Sequence, residues 1–466
     1  MTNRQKHRAP RISRPSGGLE QQEVLAIEIN EEHNISMRET EDNFKAEKTV
    51  KDHNRRLQEM IIWVKDEYPE YYEQGVVELS EDQKADKKRY YTSTHDFVYR
   101  NLNPTVIKAF LSKKKYKPNK FTTDGKRVHY SFSHTRKYQD AILFGAHRAK
   151  VPLPDIYDSE MKNYLDSGKK EKTKAKKGGQ LDETEADPIT FELYRLLCKY
   201  AIEEGDIFTW AFTVLQWSCM ARSISIDDLT FGQVGLGTDS LVIEYCDSKA
   251  DKKGERTSPK NCYANPFDYI VCIFTALGCY LCVHDEKWSS QHDSMFRNRH
   301  SNPGSASHRY CDAIKKIYMK YKNTIDEFVR ARHFNPHGTR KGAAIRASSG
   351  TTLPASLAAI ANRGEWTISM VFEVYLGFAE PGDQYLGRLL AGFLPNDASF
   401  GCLPPHFECG MENKYVKEAM NLCFCSILDQ NVDPFQSDRM ENSLRSNTKA
   451  ILLRCLASMV HHSSSL

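Results

Sequence analysis

The stretch that most limits what this chain can fold into is residues 207–215, IFTWAFTVL, which is apolar on nearly every side. A helix without a polar stripe has no face to give to water, so other elements must surround it. The run therefore predicts a central buried helix in a mainly helical domain. Just upstream, Ile189, Leu193, Leu196, Leu197 and Tyr200 fall on one helical face, with Asp187-Pro188 as the expected N-cap and first residue and Gly205 as the stop. Downstream, residues 241–246 alternate as a strand before a turn at 251–255. Residues 266–284 and 305–328 read as further helices.

At 466 residues, 40% hydrophobic and 11% aromatic, the chain can bury two or three ordinary cores. Its most apolar run, residues 270–283, is well short of the roughly 20 residues a membrane span needs. It reads as a buried helix, and no membrane partner is expected. No charged-then-apolar leader opens the sequence, and the 13 cysteines are scattered singly, as reduced thiols of a cytosolic or nuclear protein would be. Cys402, His406, Cys409, Cys423 and Cys425 match no zinc-finger spacing. The four cysteines are read as buried thiols, with no metal and no cofactor expected.

Net charge is only +4, yet residues 104–180 hold 19 Lys and Arg against 7 Asp and Glu, a local +12 that leaves −8 for the rest. That segment is the candidate polyanion footprint. It contains helices expected at 103–111 and 134–149, joined through a Lys-rich turn at 113–120 and a loop at Gly125. Tyr138, Ile142 and Ala146 recur every four residues on the second helix, with Arg136, Lys137, Arg148 and Lys150 near its ends. Together with Lys113, Lys114 and Lys115 these are the candidate DNA-backbone contacts. A solvated helical bundle explains the charges equally well.

The expected organisation is a disordered arm over 1–39, an N-terminal helical extension over 40–88 with an apolar patch at Met60, Ile61, Ile62 and Trp63, and a helical domain over 89–166. A flexible basic linker, with the composition of a nuclear localisation signal, follows over 167–186. The principal domain covers 187–392, and 393–466 is a C-terminal extension and candidate oligomerisation element with a helix at 414–428.

One constellation carries chemistry. His337 and Arg340 stand three apart and so share a helix face, and Tyr375 follows Trp366 by nine residues. Small residues at Gly342, Ala343, Ala344 and Ala347 permit close packing behind them. Upstream, Arg222 leaves the end of the buried helix, and Lys249 lies 27 residues later beside the 251–255 turn, with Lys252 and Lys253 as competitors. An arginine fork binds phosphate oxygens, ring N–H donors stabilise charge developing there, and a phenol can attack phosphorus.

This set resembles the active site of the tyrosine recombinases. Their pattern is an upstream arginine, a hairpin lysine, His-x-x-Arg, a His or Trp, and a nucleophilic tyrosine nine residues on. The resemblance implies a mainly α fold: a helical core-binding domain plus an α-helical catalytic domain with a small three-stranded antiparallel sheet, closing as a clamp on double-stranded DNA. It implies that Tyr375 forms a 3′-phosphotyrosyl link while Lys249 protonates the leaving oxygen, and that Arg222 and Arg340 hold the phosphate beside His337 and Trp366. It also implies a homotetramer on synapsed duplexes. The chain departs from the pattern at Ser225, where many members carry an acid three residues after the arginine. Asp227 and Asp228 are the candidates to replace it. Trp366 and the run at 403–407 are similar to Crypton-type transposon recombinases, which act in the nucleus. A type IB topoisomerase and a non-catalytic DNA-binding descendant of the same fold stay open as alternatives. Tyr385 is the competing phenol, set apart by Pro381-Gly382.

Overall fold

The computed structural model describes residues 47–69, 103–122, 125–148, 153–177, 186–227, 229–244, 258–283, 292–296, 305–329, 334–366, 380–424, 427 and 439–466. It is mainly helical, with two small antiparallel sheets, and divides into two compact units at Asp182/Glu183.

The first unit contains α1 (Glu47–Glu67), α2 (Pro104–Lys113), β1 (Tyr116–Phe121), β2 (Arg127–His129), α3 (Phe132–Arg148) and α4 (Asp155–Lys177). Leu57, Met60, Ile61 and Val64 on α1 lie at the i, i+3, i+4, i+7 positions of one face, and all are buried. Leu57, Met60 and Val64 share a core with Ile107 and Phe110 of α2, Tyr138 and Ile142 of α3, and Tyr157 and Met161 of α4. Helix α2 starts where Asn103 accepts from the Thr105 amide at 2.9 Å and Pro104 presets the first turn.

Three expectations about this unit are corrected here. The boundary at residue 88 is no domain boundary, because α1 cannot bury its apolar face alone and shares the core of the helices after it. Residues 167–177 are not part of a flexible linker but the second half of α4. Lys, Glu and Ala are strong helix formers, and Lys172 is buried here, donating to the Ser131 carbonyl at 2.8 Å and the Thr135 hydroxyl at 3.0 Å. The Lys-rich turn at 113–120 is likewise largely β1, paired antiparallel with β2.

The second unit opens with α5 (Phe191–Glu203), capped by Thr190, which accepts from the Leu193 amide at 3.2 Å. The helix thus begins three residues later than Asp187-Pro188 predicted. Next comes α6 (Ile207–Ser218), in which Thr209 to Ser218 are all buried. It is the central helix. Its two tryptophans need partners for their indole N–H groups, and they find the carbonyls of Ile270 at 2.7 Å for Trp210 and Leu390 at 3.0 Å for Trp217.

A short α7 (Ser223–Asp227) leads into β3 (Val234–Leu236), β4 (Leu241–Ile243) and β5 (Lys260–Cys262), a three-stranded antiparallel sheet in the order β3-β4-β5. Pairing of Leu236 with Leu241 closes the first hairpin, and Ile243 stands opposite Lys260 in the second. Helices α8 (Ile273–Val283), α9 (Ala306–Lys320) and α10 (Lys322–Ile325) follow, the first two packing on α6.

Helix α11 (His337–Ser349) crosses close to the start of the unit. A Cβ on Gly342 would lie 1.6 Å from the Ile189 carbonyl oxygen, so only glycine permits this approach. After α12 (Leu357–Arg363), which Ser356 caps, comes α13 (Glu380–Leu390). It approaches β5 just as tightly, since a Cβ on Gly387 would stand 2.0 Å from the Asn261 carbonyl.

The tail supplies α14 (Lys414–Phe424) and α15 (Arg439–His461). Residue 393 is therefore not where the domain ends. Ile451, Leu452, Cys455 and Leu456 belong to the same core as α6 and α8. The Asn447 side chain accepts from Leu236 and donates to Val234 of β3, at 3.1 and 3.2 Å. An apolar stripe of this kind is satisfied inside the unit. Among the described residues no helix is long and apolar enough to cross a membrane.

Candidate functional site

Helix α6 delivers the first cation. Its end is closed by a bond from the Ala221 amide to the Gln216 carbonyl at 3.0 Å, with Met220 in the left-handed region at φ 49°. That turn reverses the chain and places Arg222 at the head of α7. The buried Gln216 side chain then donates to the Ser223 hydroxyl at 3.0 Å and reaches the Pro336 carbonyl at 3.5 Å. One side chain of the central helix so touches the neighbour of Arg222 and the neighbour of His337.

His337 occupies the first turn of α11, and Arg340 follows on the same face, only 4% exposed. A buried guanidinium must be hydrogen-bonded, and Arg340 donates to the Gly364 carbonyl at the end of α12. The face of Trp366 lies 5.6 Å from its guanidinium carbon, within cation–π range.

The turn after α12 repeats the one after α6. The Trp366 amide bonds to the Ala361 carbonyl at 2.9 Å, and Glu365 is left-handed at φ 51°. Glycine is the usual occupant of such a position, and a side chain there costs about 1 kcal/mol or more. The Glu365 carboxylate, 13% exposed, meets Arg222 at 3.4 Å with one oxygen and the buried Lys260 of β5 at 3.2 Å with the other. Three consecutive residues therefore contact both arginines: a carbonyl and a ring for Arg340, a carboxylate for Arg222.

Beneath this turn sits Arg363, whose side chain has no exposed surface. It is paired with Asp383 at 2.6 Å and donates to the carbonyls of Ser218 at 2.7 Å and Asn261 at 2.9 Å. Asp383 in turn accepts from the Asn261 amide at 2.7 Å. Burial is the largest influence and works against the Arg363 charge, but the Asp383 carboxylate, with help from Cys262 and Cys219, overcomes it and holds the guanidinium even more firmly protonated than usual. This cluster ties the ends of α6 and α12, strand β5 and helix α13 together four residues from Arg222 and one from Lys260. Residues 363 and 383 also bracket the segment that contains Tyr375.

His337 titrates below the ordinary histidine range, first because its ring is partly withdrawn from water and then because Arg340, Lys341 and Arg222 repel a second charge. Near neutral pH it is an uncharged imidazole beside two guanidinium groups, able to offer one N–H.

Of the residues singled out in the sequence, Arg222, Arg340 and Trp366 meet at one turn and His337 stands in the first turn of α11 ahead of Arg340, while Lys249, Tyr375 and Asp228 lie outside the described residues. Asp227 does not buttress Arg222. It caps α9 by accepting from the Ala306 amide at 2.6 Å and the Ser307 hydroxyl at 2.8 Å. Glu365, Lys260, Arg363 and Asp383 were not singled out. The signal that could have found Glu365 is an acidic residue directly after the glycine that ends a short helix. Tyr385 lies within α13, which begins at Glu380-Pro381, and its hydroxyl donates to the Leu353 carbonyl at 2.5 Å.

In the first unit the lysines expected to meet DNA are engaged with carboxylates. Lys113 pairs with Glu67 at 3.0 Å, Lys114 with Glu59 and Lys115 with Glu171. Glu59 also accepts from the Tyr138 hydroxyl at 2.7 Å. Burial acts to raise its pKa, but the bonds from Lys114 and Tyr138 win and lower it. Arg136 and Lys137 are exposed on α3, Arg136 with Asp140 at 3.8 Å; Arg148 closes that helix, and Lys150 lies outside the described residues. Among the cysteines of the tail, Cys402 and Cys423 are half-buried and Cys409 is exposed. Compared with models of known protein families and with curated proteins, the chain matches none.

Proposed function

We propose that the chain is a tyrosine-type DNA strand-exchange recombinase of a mobile element, working in the nucleus as a homotetramer on synapsed duplexes. The observation that carries this reading is the meeting of Arg222 and Arg340, from two distant segments, with the turn formed by Gly364, Glu365 and Trp366, beside His337, whose pKa is lowered by partial burial and by those two arginines. Two preorganised guanidinium groups suit a phosphodiester that gains negative charge as it reacts. The departure at Ser225 favours the non-catalytic alternative, and the carboxylate that reaches Arg222 from Glu365 counts against it.

In this reading the Tyr375 hydroxyl loses its proton to solvent as its oxygen attacks phosphorus, the bond from phosphorus to the 5′ oxygen breaks, and Lys249 gives that oxygen its proton. The ester energy stays in the 3′-phosphotyrosyl link, so attack by another strand's 5′-hydroxyl reverses the step without ATP. Arg222 and Arg340 hold the non-bridging oxygens, and His337 donates one hydrogen bond. The first unit supplies backbone contacts through its basic surface.

The test is strand exchange by the purified full chain between duplexes built from the ends of the element that encodes it. Joined product from two duplexes is the expected result. Relaxation of supercoiled DNA lacking any such end, with no joining, would instead make it a topoisomerase. Binding without either product would make it a non-catalytic descendant.

A further inference from the structure

Among the described residues of the second unit, two that are not glycine take a left-handed backbone: Met220, two residues before Arg222, and Glu365, one before Trp366. Strain of this sort persists where the surroundings enforce it, and it gathers at functional sites. At Glu365 the strained position could have been glycine at no cost to the turn. The sequence places a carboxylate there instead. That carboxylate is mostly buried between Arg222 and Lys260, and the Lys260 side chain is only 2% exposed, its residue standing opposite Ile243 in the β4–β5 pair.

Separating a buried ammonium from its paired carboxylate leaves an uncompensated charge and is strongly disfavoured. Lys260 therefore fixes Glu365, and Glu365 presents its other oxygen to Arg222, whose side chain is 25% exposed. We propose that Glu365 is the positioning residue for Arg222: a carboxylate on the turn after α12, anchored by Lys260, that sets the direction in which this guanidinium faces the phosphate. The proposal rests on the recombinase reading for what Arg222 faces, but the positioning itself stands on geometry alone.

The experiment uses the full chain and two readouts. The first needs no activity: the rate at which phenylglyoxal modifies Arg222, mapped by mass spectrometry, with exposed Arg136 as internal reference. Glu365→Gln and Glu365→Gly should both raise modification of Arg222 several-fold and leave Arg136 unchanged. Glu365→Asp should fall between them and wild type. Glycine keeps the left-handed turn, so a wild-type rate in Glu365→Gly would show that the backbone and not the carboxylate orients the arginine, and would overturn the proposal. So would an unchanged rate in Glu365→Gln.

The second readout is single-turnover formation of the covalent DNA adduct at saturating DNA. Here Glu365→Gln and Glu365→Gly should slow the step on the order of tenfold or more, with DNA affinity and melting temperature near wild type and partial recovery in Glu365→Asp. An unchanged rate overturns the proposal. If wild type itself forms no adduct, the recombinase reading fails while the modification rates still decide whether Glu365 positions Arg222.

Discussion

Two regions of this molecule are rich in cations, and they use them in opposite ways. In the first unit Lys113 and Lys114 meet carboxylates of α1 and Lys115 one of α4, so part of the net +12 of that stretch ties those two helices to the end of α2. In the second unit Arg222, Arg340 and Lys260 gather around one carboxylate and one carbonyl on a single turn. The dense region is the less informative one. A count of lysines locates a surface, whereas spacing between a few residues locates chemistry.

The comparison breaks most sharply at Arg340. Arg340→Ala should cut adduct formation on the order of a hundredfold or more while leaving duplex affinity close to wild type, since one phosphate among many contributes little to binding. Filter binding and quenched-flow cleavage on one preparation measure both; equal losses in the two would place Arg340 among ordinary backbone contacts. Next in size is the buried pair below the turn. Arg363→Met leaves Asp383 charged and enclosed, and should cost about 3–5 kcal/mol in urea unfolding. The equivalent change in the first unit, Lys114→Met, opens a pair that is partly exposed on both sides. It should cost no more than about 1 kcal/mol.

That contrast shows how much was legible beforehand. The uninterrupted apolarity of 207–215 required a central helix, and the His-x-x-Arg spacing required one shared face; both depend on periodicity, which a sequence displays. The small residues at Gly342 and Ala343 announced the tight crossing of α11. Glu365 was hidden because a left-handed residue at a helix end is usually glycine, whereas here it is the residue after Gly364. Lys260 was hidden because a charged residue in a three-residue strand gives no sign of being buried. The first-unit lysines looked available for DNA because their partners are 46 to 56 residues away in sequence. The basic stretch at 167–177 looked like a linker because its composition is as hydrophilic as one, although every residue type in it except Ser, Gly and Thr favours a helix.

Salt dependence sharpens the comparison further. Each phosphate contact removed should flatten the log–log dependence of duplex affinity on salt by about 0.9. Replacing Arg136 and Lys137 by Gln should therefore flatten it more than replacing Lys113, Lys114 and Lys115 together, because a phosphate must first displace a carboxylate from each of those three. The reverse order would restore the lysine cluster as the principal clamp.

The smallest effects concern two histidines. His134, stacked on Tyr130 at 3.9 Å, is pushed down to about 4 by burial and then by Arg56 and Lys172. His337 is lowered by partial burial and then by Arg340, Lys341 and Arg222. Both favour the neutral ring in the fold, so each contributes stability that is complete above the ordinary value of about 6.5 and is lost as pH falls toward the folded value. His134→Gln should flatten the loss of stability between pH 6.5 and about 4. By NMR, Arg222→Gln should move the His337 midpoint upward and leave His134 alone; no movement would separate Arg222 from the His337 site.

The central claim is that the turn after α12 serves a phosphate attacked by Tyr375, and mapping the covalent adduct tests it most directly. The full chain would be trapped on a nicked suicide duplex carrying the element's own end, then digested and sequenced by mass spectrometry. The account predicts a nucleotide joined through a 3′-phosphate to the peptide containing Tyr375, present in wild type and Tyr385→Phe and absent in Tyr375→Phe. An adduct that survives in Tyr375→Phe, or no adduct on any end that the protein binds specifically, would contradict it.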